Sequence, residues 1–139
     1  MLQYNKETLF TVAQWIGASK RRVGSKIRQL VSTEEECTLI LTEMYRVEQN
    51  LRLARSLRAS ATLTLAAWFT ILEHFQWRCA YCQSRPFQVL VHILPQEIAG
   101  TTPENCLPAC HHCKCSVKRT TVSVKASLAA THCQQAEQK

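Results

Sequence analysis

The sequence predicts a mostly helical α+β protein: a helical region over residues 1–60, a small cysteine-bearing module over 61–120 with its lead-in helix, and a tail over 121–139. Two observations carry that expectation. Apolar residues recur at helical spacing in several segments before residue 76, and two C-x-x-C pairs, Cys79/Cys82 and Cys110/Cys113, bracket the segment that follows. At 139 residues the chain is long enough for one modest core with an appendage and too short for a large multidomain enzyme.

In the first segment Leu9, Val12, Ala13 and Ile16 share a face until Gly17 breaks the run. A second, short helix is expected with Ser19 as cap and Val23, Ile27 and Leu30 as its stripe. Lys20, Arg21, Arg22, Lys26 and Arg28 make it cationic. From Thr8 to about Gln29 the pair resembles a helix-turn-helix element, with Ala13 four residues before Gly17 and Val23 six after it. Lys26 stands where a third apolar residue is usual, so a packed hairpin with a solvated basic face is the competing expectation. In the first case the basic residues of this helix face phosphates or base edges.

Thr33 begins the next helix with a capping box, its hydroxyl accepting from the Glu36 amide while that carboxylate reaches back. Ile40, Met44, Val47, Leu51 and Ala54 trace its apolar face, and Glu48 and Arg52 are spaced for an i,i+4 pair. Arg46, Arg52, Arg55 and Arg58 collect toward its negative end, which the helix dipole favours whether or not they meet a polyanion. Residues 59–64 read as a linker. Thr64 then caps a helix in which Leu65, Trp68, Phe69, Leu72 and Phe75 line up toward a core, delivering the chain through Trp77 and Arg78 into Cys79.

Seventeen lysines and arginines against ten acids give a net charge of +7, which favours an anionic partner such as nucleic acid. Every acid is glutamate, so no aspartate can serve as ligand or base. No apolar run is long enough to cross a bilayer and none has signal-peptide form, so a cytoplasmic location with no membrane partner is expected. In a reducing compartment eight cysteines favour metal thiolates over a disulfide framework. Cys79, Cys82, Cys110 and Cys113 are therefore expected to hold a structural Zn2+, whose binding energy makes up for the small core of a forty-residue segment. A closed four-thiolate site has no open position for water, so that zinc is not a catalytic ion. Cys37, Cys106, Cys115 and Cys133 are expected to be buried small hydrophobes or free thiols, with Cys115 as an alternative ligand.

Trp68, Leu72, Phe75, Trp77, the run Arg78-Cys79-Ala80-Tyr81-Cys82, then His92-Ile93-Leu94-Pro95, Gly100-Thr101-Thr102-Pro103-Glu104-Asn105 and Pro108-Ala109-Cys110-His111-His112-Cys113 follow one another in the order of a known family. From Thr64 to Arg119 the chain resembles HNH endonucleases of the zinc-bound subtype. The resemblance implies a ββα-metal fold, with His92 as the general base that deprotonates the attacking water and Asn105 holding the histidine's backbone. It also implies a second ion, Mg2+ or Mn2+, at the scissile phosphate. In active relatives an acid precedes the histidine and an asparagine or histidine follows the last cysteine; here those positions are Val91 and Lys114. Gln83, Ala99, Cys106 and Val117 are further departures, the first two where glycine is usual.

The expectation drawn from these residues is a nucleic-acid-binding HNH-like protein, DNA being the first candidate, that has lost its catalytic cation site and acts as an accessory subunit. Lys114, with Lys118 and Arg119, would contact phosphate in the ion's place. The alternatives are a metal-dependent DNA endonuclease and a protein-docking subunit of a larger complex. The resemblance makes a mobile-element context plausible.

Overall fold

The computed structural model describes residues 5–18, 24–31 and 33–114, with side chains outside the description at 17, 18 and 24–26. The described residues form α1 (Lys6–Ala18), α2 (Gly24–Leu30), α3 (Glu34–Ser56), α4 (Leu65–His74), β1 (Val89–His92), α5 (Gln96–Ala99) and β2 (Cys106–Ala109). The protein is mostly helical, with one small antiparallel sheet of β1 and β2. No helix among the described residues is long and apolar enough to cross a membrane.

Each long helix starts where a side-chain oxygen takes up the orphan amides of the first turn. Asn5 Oδ1 accepts from the amides of Glu7 and Thr8 at the head of α1. Thr33 Oγ1 accepts from Glu36 N at 3.1 Å, and Thr64 Oγ1 from Ala67 N at 3.1 Å. The Glu36 carboxylate accepts from the backbone amide of Asn5 at 2.9 Å, which ties the start of α3 to the start of α1. Glu48 and Arg52 do not pair. The ion pairs among the described residues are Lys6–Glu73, Arg28–Glu34 and Glu43–Arg46.

The main core takes Leu9, Val12 and Ala13 from α1, Ile27 from α2, Cys37, Ile40, Val47 and Leu51 from α3, and Leu65, Trp68, Phe69 and Leu72 from α4. These are largely the stripes expected from helical periodicity, with Met44 packing at the edge. Cys106, Phe87 and Leu90 join the same core, so the segment around the sheet is packed onto the helices. A second cluster, Phe75, Cys79, Ala80, Val91, Ile93, Leu107, Ala109 and Cys110, lies against the paired cysteines.

A polar chain runs from the main core to the residue just before β1. Glu43, only 3 % exposed, accepts from Trp68 Nε1 at 2.9 Å and from Arg46 Nε at 2.8 Å, both on Oε1. Arg46 in turn donates to the Gln88 carbonyl at 3.0 Å and lies 5.3 Å from the centre of the Phe87 ring. α3 thus grips the chain just before β1, between the two cysteine pairs.

The turn after α4 places two bulky residues, Gln76 at φ 57° and Trp77 at φ 60°, in the left-handed region. Trp77 is held there by its contacts with Phe69 and Phe87 and by Nε1 donating to Glu73 at 2.8 Å. Gln83, in the first cysteine turn, also has φ 57°, which explains why glycine suits that position.

Candidate metal centre and the histidine beside the sheet

The antiparallel register pairs Val89 with Ala109, Leu90 with Pro108, Val91 with Leu107 and His92 with Cys106. Ala80 N donates to Pro108 O and Cys79 N to Arg85 O, which lays the first cysteine turn across the end of β2. The second pair follows directly from β2, and residues 111–114 turn into helix, with Lys114 N donating to Cys110 O and Cys113 N to Cys110 Sγ. His111 N donates to Gln88 Oε1 at 3.0 Å, fastening the second turn to the residue that Arg46 holds.

This folding brings the sulfurs of Cys79, Cys82, Cys110 and Cys113 within 4.8 Å of one another. The Cys82–Cys110 separation is 4.0 Å. Zn–S bonds of about 2.3 Å in a tetrahedron set sulfurs roughly 3.8 Å apart, so one tetrahedral ion fits after the set draws in by up to about 1 Å. The arrangement does not fit disulfides, whose sulfurs are about 2.05 Å apart, and all six described cysteines are free.

The thiols are unequal. Burial works against ionisation of Cys82, but the Ser84 hydroxyl and the amides of Ser84 and Arg85 outweigh it and bring the thiol down to about 6. Cys110 is lowered in the same way by the amide and thiol of Cys113. Cys79 is raised, chiefly by burial, and Cys113 by burial, by its hydrogen bond with Cys110 and by the charge of Cys79. Two thiols are thus lowered and two raised, as expected of four crowded acids that titrate as one coupled set. Tyr81 packs beside them with a buried hydroxyl that has no hydrogen-bond partner, and burial pushes its phenol up.

His92 ends β1 and points away from the thiols. Its Nε2 lies 3.0 Å from Oγ1 of Thr101, a residue with no exposed surface. The Thr101 hydroxyl donates to the Asn50 carbonyl of α3 at 3.1 Å and accepts from Gln96 Nε2 at 2.6 Å; the same Gln96 nitrogen reaches Asn50 O at 2.8 Å. Thr101 Oγ1 thus lies within hydrogen-bonding distance of both Asn50 O and His92 Nε2, and its single proton couples the tautomer of the imidazole to this contact. Burial holds the imidazole below its ordinary range.

Asn105, 4 % exposed, closes the loop between the strands. Its Oδ1 accepts from Leu94 N at 2.8 Å, while Nδ2 donates to Leu94 O at 3.1 Å and Gly100 O at 2.8 Å. Gly100 has φ 74° and lies so close to Ser60 that an added Cβ would stand 2.1 Å from the Ser60 carbonyl oxygen. The contact lets Thr101 N donate to Ser60 O, and Thr101 O accept from Thr62 N and Leu63 N. The segment read as a linker is thereby pinned to the loop that presents Thr101 to His92.

Val91 is 7 % exposed and belongs to the cluster behind the thiols, on the opposite face of β1 from His92. Lys114, His111, His112 and Glu97 are exposed. Among the described residues, the four cysteines are the one group of three or more metal-ligating side chains close enough to hold an ion. Cys106 is buried, its thiol pushed up to about 12 by burial with a contribution from Glu104, which fits the inert hydrophobe expected of it. Of the basic residues expected to touch nucleic acid, Arg28 is exposed and paired with Glu34 at 3.4 Å. Lys20, Arg21, Arg22, Lys118 and Arg119 lie outside the described residues, as does the side chain of Lys26.

Thr101, Gln96 and Asn50 were not singled out for a role by the sequence. Thr101 lies inside the run from Gly100 to Asn105 that carries the resemblance but had no role assigned to it, Gln96 belongs to no motif, and Asn50 is far away on another element. The chain matches no family model, no curated protein and no solved structure.

Proposed function

We propose that this protein binds nucleic acid through a zinc-stapled, HNH-like module that does not cleave it, and that it works as an accessory subunit in the cytoplasm. Val91 carries the reading. The resemblance places an acidic ligand for the hydrolytic ion at that position, and the valine is packed among Phe75, Ile93 and Leu107, where a carboxylate would be buried without a partner. The four thiolates supply the staple, with zinc the metal that suits an all-sulfur tetrahedral set. The net charge of +7 supports a polyanionic partner.

One observation favours a second reading, a metal-dependent endonuclease. The imidazole of His92 is present at the end of β1 and Asn105 clamps Leu94 and Gly100 in the loop behind it, the two parts that a water-activating base of this kind calls for. The zinc-loaded protein separates the two when mixed with labelled DNA and RNA over a range of salt, and with supercoiled plasmid plus Mg2+ or Mn2+. Salt-sensitive retention without nicking is the expected result. Nicking that disappears in His92→Ala would replace the proposal with the nuclease reading. Absence of retention even at low salt would leave a protein-docking subunit.

A further inference from the structure

Charge is segregated over the described residues. Acids occur on α1, α3 and α4 and near α5, but none lies between Glu73 and Glu97 or from Asn105 through Lys114, the two stretches that contain the cysteine turns. Because the four sulfurs sit within 4.8 Å of one another, the residues beside them are forced into one neighbourhood. Arg78 precedes Cys79, the Arg85 carbonyl accepts from Cys79 N, His111 and His112 lie inside the second turn, and Lys114 follows it. All five side chains are exposed. Arg78 Nη1 donates to the Ser84 carbonyl at 3.2 Å across the first turn, which fixes the guanidinium and leaves its other donors free for an outside acceptor.

We propose that the outer surface of the two cysteine turns, with Arg78, Arg85 and Lys114 as its cations, is where the backbone phosphates of nucleic acid bind. The inference rests on the nucleic-acid reading above and gives it a location. Metal bound by the four thiols would hold the backbone of both turns, so the cations are presented without the cost of ordering the backbone on binding. A competing role for the same charges is local. A zinc ion with four thiolates carries net charge −2, and neighbouring cations can neutralise it without touching any partner.

The test uses the full, zinc-loaded chain and a labelled DNA duplex, with affinity measured between about 50 and 200 mM salt. Each lost phosphate contact lowers the slope of log affinity against log salt by about 0.9, so Arg78→Gln/Arg85→Gln should lower it by about 2 and Lys114→Gln by about 1. Arg52→Gln/Arg55→Gln, which removes two exposed charges from α3, should keep the wild-type slope. Zinc affinity is measured on the same variants with a competing chelator. An unchanged slope in the Arg78/Arg85 variant, a drop seen in the α3 variant instead, or a weakened zinc affinity with nucleic-acid binding intact overturns the inference while leaving the broader reading standing. A wild-type protein that retains no DNA at low salt overturns both.

Discussion

Removing the buried Glu43 carboxylate should destabilise this protein by more than the loss of an ordinary helix-surface glutamate would. Oε1 accepts from Trp68 Nε1, and Trp68 has no exposed surface, so Glu43→Ala strands a buried donor at a cost of about 1–3 kcal/mol. The same oxygen accepts from Arg46 Nε. A fully buried ion pair loses about 3–5 kcal/mol when one partner goes, but the Arg46 side chain is 23 % exposed and keeps the Gln88 carbonyl and the Phe87 ring. Its share is nearer the solvent-screened value of about 1 kcal/mol. The expected total for Glu43→Ala is about 3 kcal/mol. Glu43→Gln keeps an oxygen for Trp68 and loses only the charge toward Arg46, so it should cost about 1 kcal/mol. Urea unfolding with zinc in excess reads both values as shifts in midpoint at constant slope. The Ala variant should also melt roughly 10 °C lower, at about 2–8 °C per kcal/mol for domains of this size range. In a double-mutant cycle, Glu43→Leu with Trp68→Phe should cost less than the sum of the two single changes, because both polar partners are removed together. Equal midpoints for the Ala and Gln variants, or an Ala variant within about 0.5 kcal/mol of wild type, would refute the assignment of Glu43 as an internal acceptor.

Gly100→Ala should cost more than about 2 kcal/mol, since a left-handed backbone and a Cβ placed 2.1 Å from Ser60 O cannot both be accommodated; thermal denaturation measures it. For protein loaded with Zn2+, stripping the ion with excess chelator should remove binding energy on the order of 10 kcal/mol from the cysteine module, read as lost hydrogen-exchange protection at the amides of Ala80 and Gln88. His92 should titrate below the ordinary histidine value of about 6.5, seen in its ring proton shifts. As the unfolded chain then binds this proton more readily than the folded one, the group's contribution to stability is complete above about pH 6.5 and is lost as pH falls through the lower folded value. His92→Gln should remove that part of the pH dependence.

The caps at Thr33 and Thr64 were legible because a cap and its amide lie three residues apart, and the buried faces of α1, α3 and α4 because helical spacing writes them into the order of residues. The metal set was legible for a similar reason: two C-x-x-C pairs each make a local turn, and only their meeting is a tertiary event. The Glu48–Arg52 pair, expected from the same spacing rule, does not form, because two exposed side chains gain little from one another in water. Glu43 gave no sign of its role, since its partner Trp68 is twenty-five residues away. The left-handed backbones of Gln76 and Trp77 were equally silent, for neither residue type favours that conformation, whereas that of Gln83 falls where the family resemblance expects glycine.

What the amino-acid order decided by itself was the presence of the helices α1 to α4, the cysteine pairs and the surplus of positive charge, all of which depend on neighbours within a turn or on a simple sum. Where His92 finds its partner, and how α3 holds the chain just before β1, depended on Asn50, Gly100, Arg46 and Gln88 arriving from distant parts of the chain. Buried hydrogen-bonding groups must be paired, and the pairing is settled by which backbones come close once the core has closed.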